Sequence, residues 1–162
     1  MRRPLALIGL PLAAAATALA VPVAANASTA ASSHIGIVGL TGAQEVPGPG
    51  DADGRALFVY ATGRDRLCYA LVVNGIAPAT LSHIHSGARG VAGPIVIGLQ
   101  APTNGASAGC ITAVADDQQT PENAMMTLTR TELRSIVANP AAFYTNVHNA
   151  DHPAGAIRGQ LH

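Results

Sequence analysis

Leu67-Cys68-Tyr69-Ala70-Leu71-Val72-Val73-Asn74, closed by Gly75, is a run of strand-forming residues that ends in a turn dipeptide. Side chains alternate across a strand, so Leu67, Tyr69, Leu71 and Val73 fall on one face. Cys68, Ala70 and Val72 fall on the other, so both faces read as apolar and the strand is expected to be central in its sheet. Apolar segments of similar length recur on both sides of it. They are Ile35 to Leu40, Ala56 to Ala61, Thr80 to His85, Ile95 to Leu99, Met125 to Leu128, Phe143 to His148 and Ala156 to Leu161. Turn clusters such as Pro47-Gly48-Pro49-Gly50-Asp51 and His152-Pro153-Ala154-Gly155 punctuate them. Short strands at this spacing predict a mainly β chain, a Greek-key β-sandwich or a flattened barrel.

One segment has a different period. Thr129-Arg130-Thr131-Glu132 has the form of a capping box, and Leu133, Ile136 and Val137 follow at helical spacing. A short amphipathic helix is expected over residues 130–138. Pro140 ends it, because the ring pushes Asn139 out of helical geometry.

The amino-terminal end reads as a targeting segment. Arg2 and Arg3 precede an apolar run from Leu5 to Ala24, and Ala25-Asn26-Ala27 offers a small-x-small cleavage site. Residues 1–27 are therefore expected to be a signal peptide, residues 28–35 a flexible leader and residues 36–162 one folded domain. Export predicts a secreted, extracellular or periplasmic protein, with no membrane contact after cleavage because no other segment is long and apolar enough. Nine basic residues balance nine acidic ones, two of the basic ones lying in the expected signal peptide, so no basic stripe is left to neutralise phosphates. Nucleic acid is excluded as a partner on that ground. In an oxidising compartment Cys68 and Cys110 are expected to form a disulfide, since their spacing is not that of a thiolate metal site.

Ser82-His83-Ile84-His85-Ser86-Gly87 is the most specific local feature. Residues i and i+2 of a strand project to one face with Cα atoms about 7 Å apart, near enough for both imidazoles to meet one metal ion. The plainer reading is two polar neighbours at a strand end, bonded to the glycine-rich loop that follows. A second cluster, Asn146-Val147-His148-Asn149-Ala150-Asp151-His152, supplies His148 as a third imidazole, with His152 or Asp151 as a further donor. Its plainer reading is a solvated turn capped by Asn149 and Asp151. Imidazole ligands suit copper or zinc.

Other spacings carry less. Gly87, Gly90 and Gly93 lead to Pro94 and another strand, so they make tight turns and not a phosphate cradle. Ser86, His148 and Asp151 have the residue types of a hydrolase triad without a nucleophile elbow. Near the carboxyl end Ile157, Gly159 and Leu161 share one strand face and Arg158 and Gln160 the other. Arg158 is expected to pair with Glu45, or alternatively to steer an anion toward a metal.

Taken together, several stretches resemble the CHRD family, the module named after chordin. They are Leu40-Thr41-Gly42-Ala43-Gln44-Glu45-Val46-Pro47, Ser82 through Gly87 with Gly90 and Gly93-Pro94, Asn139-Pro140 through His148, and Gly155-Ala156-Ile157-Arg158-Gly159-Gln160-Leu161. They occur in the family's order and span most of the chain. The resemblance implies an extracellular β-sandwich, immunoglobulin-like or superoxide-dismutase-like, which in bacteria is often the whole secreted protein. Copper/zinc superoxide dismutases are similar in carrying an HxH on a Greek-key strand, but no bridging histidine follows His85 here, which argues against a dinuclear site. Two functional classes remain open. One is a non-catalytic binding or structural module that holds copper or zinc and meets an extracellular protein, glycan or cell-wall component. The other is a mononuclear copper enzyme of superoxide-dismutase-like type at His83, His85 and His148.

Overall fold

A computed structural model describes residues 33–162. The expected signal peptide and most of the expected leader lie outside the described residues. Eight strands are described: β1 (His34–Thr41), β2 (Arg55–Thr62), β3 (Arg66–Asn74), β4 (Ala79–Ser86), β5 (Ile95–Leu99), β6 (Ala106–Thr112), β7 (Phe143–Asn149) and β8 (Ile157–Gln160). One α-helix, α1 (Arg130–Ala138), lies between β6 and β7. His34 and Ile35, assigned to the leader from the sequence, belong to β1 instead.

All strand pairs are antiparallel and join one sheet in the order β5-β4-β7-β8-β1-β2-β3-β6. The sheet curls until it is nearly closed. The Gln100 amide just after β5 donates to the Tyr69 hydroxyl of β3 at 2.8 Å, which ties the two halves together. Inside lies one core, with Phe58, Leu71, Ile84, Ile97, Val147 and Ile157 almost wholly removed from water.

Three expectations are corrected. The segment Met125 to Leu128 is not a strand, because Ala124–Met126 forms a 3-10 turn near β5 and only the Val114–Thr129 bridge follows. β6 has no signal in the sequence, since Ala106-Ser107-Ala108-Gly109 has neither bulk nor branching to mark a strand. Its place is set by pairing along β3, where Cys68 faces Cys110 and the two are bonded at 2.04 Å. The third concerns which strands are covered on both faces. Leu67, Tyr69, Leu71 and Val73 of β3 are buried as the alternation required, but Ala70 and Val72 opposite them face water. β7 and β8 are the strands buried on both sides, because loops cover their outer face.

The helix follows its sequence signals. Thr129 Oγ1 accepts from the Glu132 amide at 3.1 Å, and Glu132 Oε2 accepts from the Thr129 amide at 2.8 Å. Leu133 and Ile136 are buried against the sheet. Replacing Thr129 with alanine removes half of this box, and unfolding in urea is expected to show a loss of about 1 kcal/mol.

Candidate metal centre

β4 and β7 lie side by side, with His83 opposite Asn146, His85 opposite Tyr144 and Leu81 opposite His148. Ser82 and Ile84 alternate with the two β4 histidines and are buried on the inner side. His83 and His85 therefore project from the outer face, where β7 presents Tyr144, Asn146 and His148 by the same period of two. The loop 87–94 and the turn at Pro153 reach over this face, so each of the three histidines is buried.

The rings converge. His83 Nδ1 and His148 Nε2 are 3.2 Å apart, and one ligating nitrogen from each of His83, His85 and His148 lies within 4.8 Å of the others. Nitrogens bound tetrahedrally at ~2.0–2.1 Å from a zinc-sized ion sit ~3.4 Å apart, so the first pair already has that separation and His85 closes by a small advance. Backbone carbonyls fix which nitrogen carries the proton. His85 Nδ1 donates to Gly93 O at 2.9 Å and His148 Nδ1 donates to Pro153 O at 3.0 Å, which leaves the lone pair of each ring on Nε2. Asn146 Oδ1 lies 3.1 Å from His85 Nε2, a position that suits an amide turned to donate from nitrogen.

Burial keeps the cluster neutral. It pushes His83 down to about 4, helped by the like charges that His148 and His85 would carry if protonated. Burial also lowers His85 and His148, against the opposing pull of their bonds to Gly93 and Pro153. Neutral imidazole is the state in which histidine binds a metal.

A protein-family model for the CHRD domain matches residues 37–161. The chain belongs to the CHRD-domain family. No curated protein and no solved structure matches it. The matched region of this CHRD domain contains all three clustered histidines, both cysteines and Arg158.

The CHRD fold does not gather every residue that the sequence suggested. His152 turns away and its Nε2 lies 3.9 Å from Asp51 Oδ2, while Asp151 is exposed, so neither joins the three histidines. The rigid turn from Asn149, whose Oδ1 accepts from the His152 amide at 2.7 Å, sends both side chains elsewhere. His34 and His162 bond to each other through His34 Nε2 and the His162 carbonyl. No hydrolase triad forms, because His148 Nδ1 serves Pro153 O and not Asp151.

Arg158 also differs from expectation. Only 1% of it is exposed, which removes a steering role, and its guanidinium donates to Val91 O and Ala88 O at 3.0 Å each. Glu45 is not its hydrogen-bonded partner. It lies near enough for Arg158's charge to lower its pKa, but burial dominates and raises the carboxyl to about 7, with Oε1 left without a partner.

Sequence reasoning missed the groups that support the ligands. Tyr144 stacks on His85 with ring centroids 4.7 Å apart and planes 8° from parallel. Its hydroxyl accepts from the Gly93 amide at 3.2 Å, holding the residue whose carbonyl orients His85. Arg158 covers the other side of the Tyr144 ring at 3.4 Å. The signal for Tyr144 and Asn146 was their alternation with His148. Gly93 and Pro153 carried no side-chain signal.

Proposed function

We propose that this CHRD domain is an exported binding or structural module that holds one copper or zinc ion through His83, His85 and His148. The observation that carries this reading is the convergence of the three rings, one nitrogen of each within 4.8 Å of the others, with carbonyl bonds that leave the lone pairs of His85 and His148 on Nε2. A site of polar neighbours without a metal role needs no such arrangement. Nitrogen ligands favour copper(II) over zinc on affinity. The export reading draws on the amino-terminal targeting pattern and on the disulfide, which suits an oxidising compartment. We assign the nearly closed sheet to the Greek-key sandwich class, a reading supported by the crossings from β3 to β4 and from β5 to β6. An extracellular protein, glycan or cell-wall component is the partner class that this location offers.

The mononuclear copper enzyme is kept as a second reading on one observation. Among the described residues no fourth histidine, cysteine or carboxylate side chain joins the three histidines, and catalytic ions keep such a position open. The bound ion would then supply one-electron chemistry toward superoxide, while the protein's part is to hold three imidazoles neutral and in place.

The test is metal content. Protein purified from the exported fraction without a histidine tag, stripped and then offered copper or zinc, is expected to retain about one ion per chain, the stoichiometry of a three-histidine site. The His83→Ala, His85→Ala double variant is expected to retain none. Equal retention by both, or none by either, overturns the proposal. Superoxide consumption by the copper form then separates the enzyme from the module.

A further inference from the structure

The outer face of β1, β2, β3 and β6 lies apart from the histidine centre and is covered by nothing among the described residues. Its exposed members include Ile35 at 72%, Ile37 at 58%, and Leu57 and Val72 at 49% each. The strand registers set these in rows. Ile37 faces Val59, which faces Ala70, which faces Ala108. The row on one side ends at the Cys68–Cys110 disulfide, and the row on the other runs from Gly39 through Leu57. Charged side chains occur only at its two ends, Arg55 beside Asn74 and Arg66 beside Thr112. An apolar centre with a polar rim is the anatomy of a protein interface.

We infer that this face pairs with the same face of a second copy, forming a twofold dimer. Shape is the first ground. In the central row the branched side chains of Ile37 and Val59 stand high, whereas Ala70 and Ala108 are low. A twofold axis along the strands, between β2 and β3, lays the high half of this row in each copy on the low half of the same row in the other. Such an isologous fit needs one surface complementary to itself. It sets Ile37 over Ala108 of the second copy and Val59 over Ala70.

Area is the second ground. Four strands ~4.8 Å apart and rows spanning ~14 Å, with side chains added, give about 500 Å² of accessible surface per copy. The pair buries ~1,000 Å², the least that a specific interface requires, so a weak dimer is expected. Charge is the third, because the charged side chains bordering the face, Arg55 and Arg66, lie at its ends, and seven basic against nine acidic residues after residue 27 leave only a small net charge per copy.

Sedimentation of the untagged protein through a micromolar-to-submillimolar dilution series tests this, in chelator and again with copper. The wild type is expected to pass from monomer to dimer in both, which keeps the result independent of the metal proposal. Ile37→Glu and Ala108→Lys should each weaken association by about 100-fold, the scale of a central interface residue. Both sites are exposed, so unchanged circular dichroism and melting temperature are expected. Mixing the two variants should restore a dimer, since the new glutamate meets the new lysine only if β1 lies over β6. A wild type monomeric throughout, an Ile37→Glu variant that dimerises normally, or a mixture that stays monomeric overturns the inference. Binding of a monomeric wild type to neutral phosphatidylcholine vesicles through Ile37 would likewise overturn it and give the face another occupant.

Discussion

Replacing Arg158 with alanine is expected to lower unfolding stability by about 3–5 kcal/mol, the range seen when one member of a buried charged network is removed. Arg158 is the largest of the fully buried side chains, and its charge is offset by three kinds of contact. It donates to the carbonyls of Val91 and Ala88, it reaches Gln160 Oε1 at 3.4 Å, and its Cζ sits over the Tyr144 ring. The two carbonyls belong to the loop that crosses the histidine face, so Arg158 fastens that loop to β8. Without it the alanine variant has a void, two released carbonyls and a Glu45 carboxyl with no cation nearby. Arg158→Lys keeps the charge but loses the planar fork and the stacking, and an intermediate loss is expected. The same variants should weaken metal binding, because a loosened loop no longer holds Gly93 O against His85 Nδ1. Urea unfolding of the metal-free proteins measures the first effect and metal titration the second. A loss below about 1 kcal/mol for Arg158→Ala would show that the buried cation is dispensable.

The strands of this CHRD domain were legible wherever bulk and branching mark a period of two, as in β1, β2 and β3. β6 was not, because its small residues gain their conformation from pairing with β3 and from the disulfide, which are tertiary causes. The sidedness of β3 was misjudged for a related reason. An apolar outer face predicts cover, and the cover expected from this chain is absent at Ala70 and Val72 while loops supply it at β7 and β8. At the site, His83, His85 and His148 were legible because imidazole at i and i+2 is uncommon and because a second histidine strand was at hand. Which strand neighbours which is not written in either stretch, so the sequence leaves His152 and Asp151 as equal candidates, and the turn at Asn149 decides against both. The proton positions were invisible for a deeper reason. They depend on the carbonyls of Gly93 and Pro153, groups that every residue possesses.

The metal-free protein is expected to show two buried titrations that oppose each other, and Glu45→Gln separates them. His83 takes up a proton near 6.5 when unfolded but only at about 4 when folded. Between those values the unfolded chain binds the extra proton, so this group's contribution is lost as pH falls from about 6.5 toward 4. At ~1.4 kcal/mol per pH unit that is about 3 kcal/mol, and His85 and His148 act in the same direction. Glu45 has the opposite sign. Its folded value of about 7 lies above the 4.5 of the free side chain, so the folded state holds the extra proton in between. Its favourable contribution is full below 4.5 and is lost as pH rises through 7. The wild type is therefore expected to change little from pH 7 to 4.5 apart from the decline due to His85 and His148. Glutamine cannot ionise, so Glu45→Gln should be more stable than wild type by about 2–3 kcal/mol above pH 7 and equal to it near pH 4.5. Its stability should fall more steeply with acid for the same reason. Urea unfolding in chelator at several pH values measures both curves. Parallel curves for the two proteins would mean that the Glu45 carboxyl titrates alike in the folded and unfolded states, and that its burial among Gly50, Gly155 and Arg158 exacts no electrostatic cost.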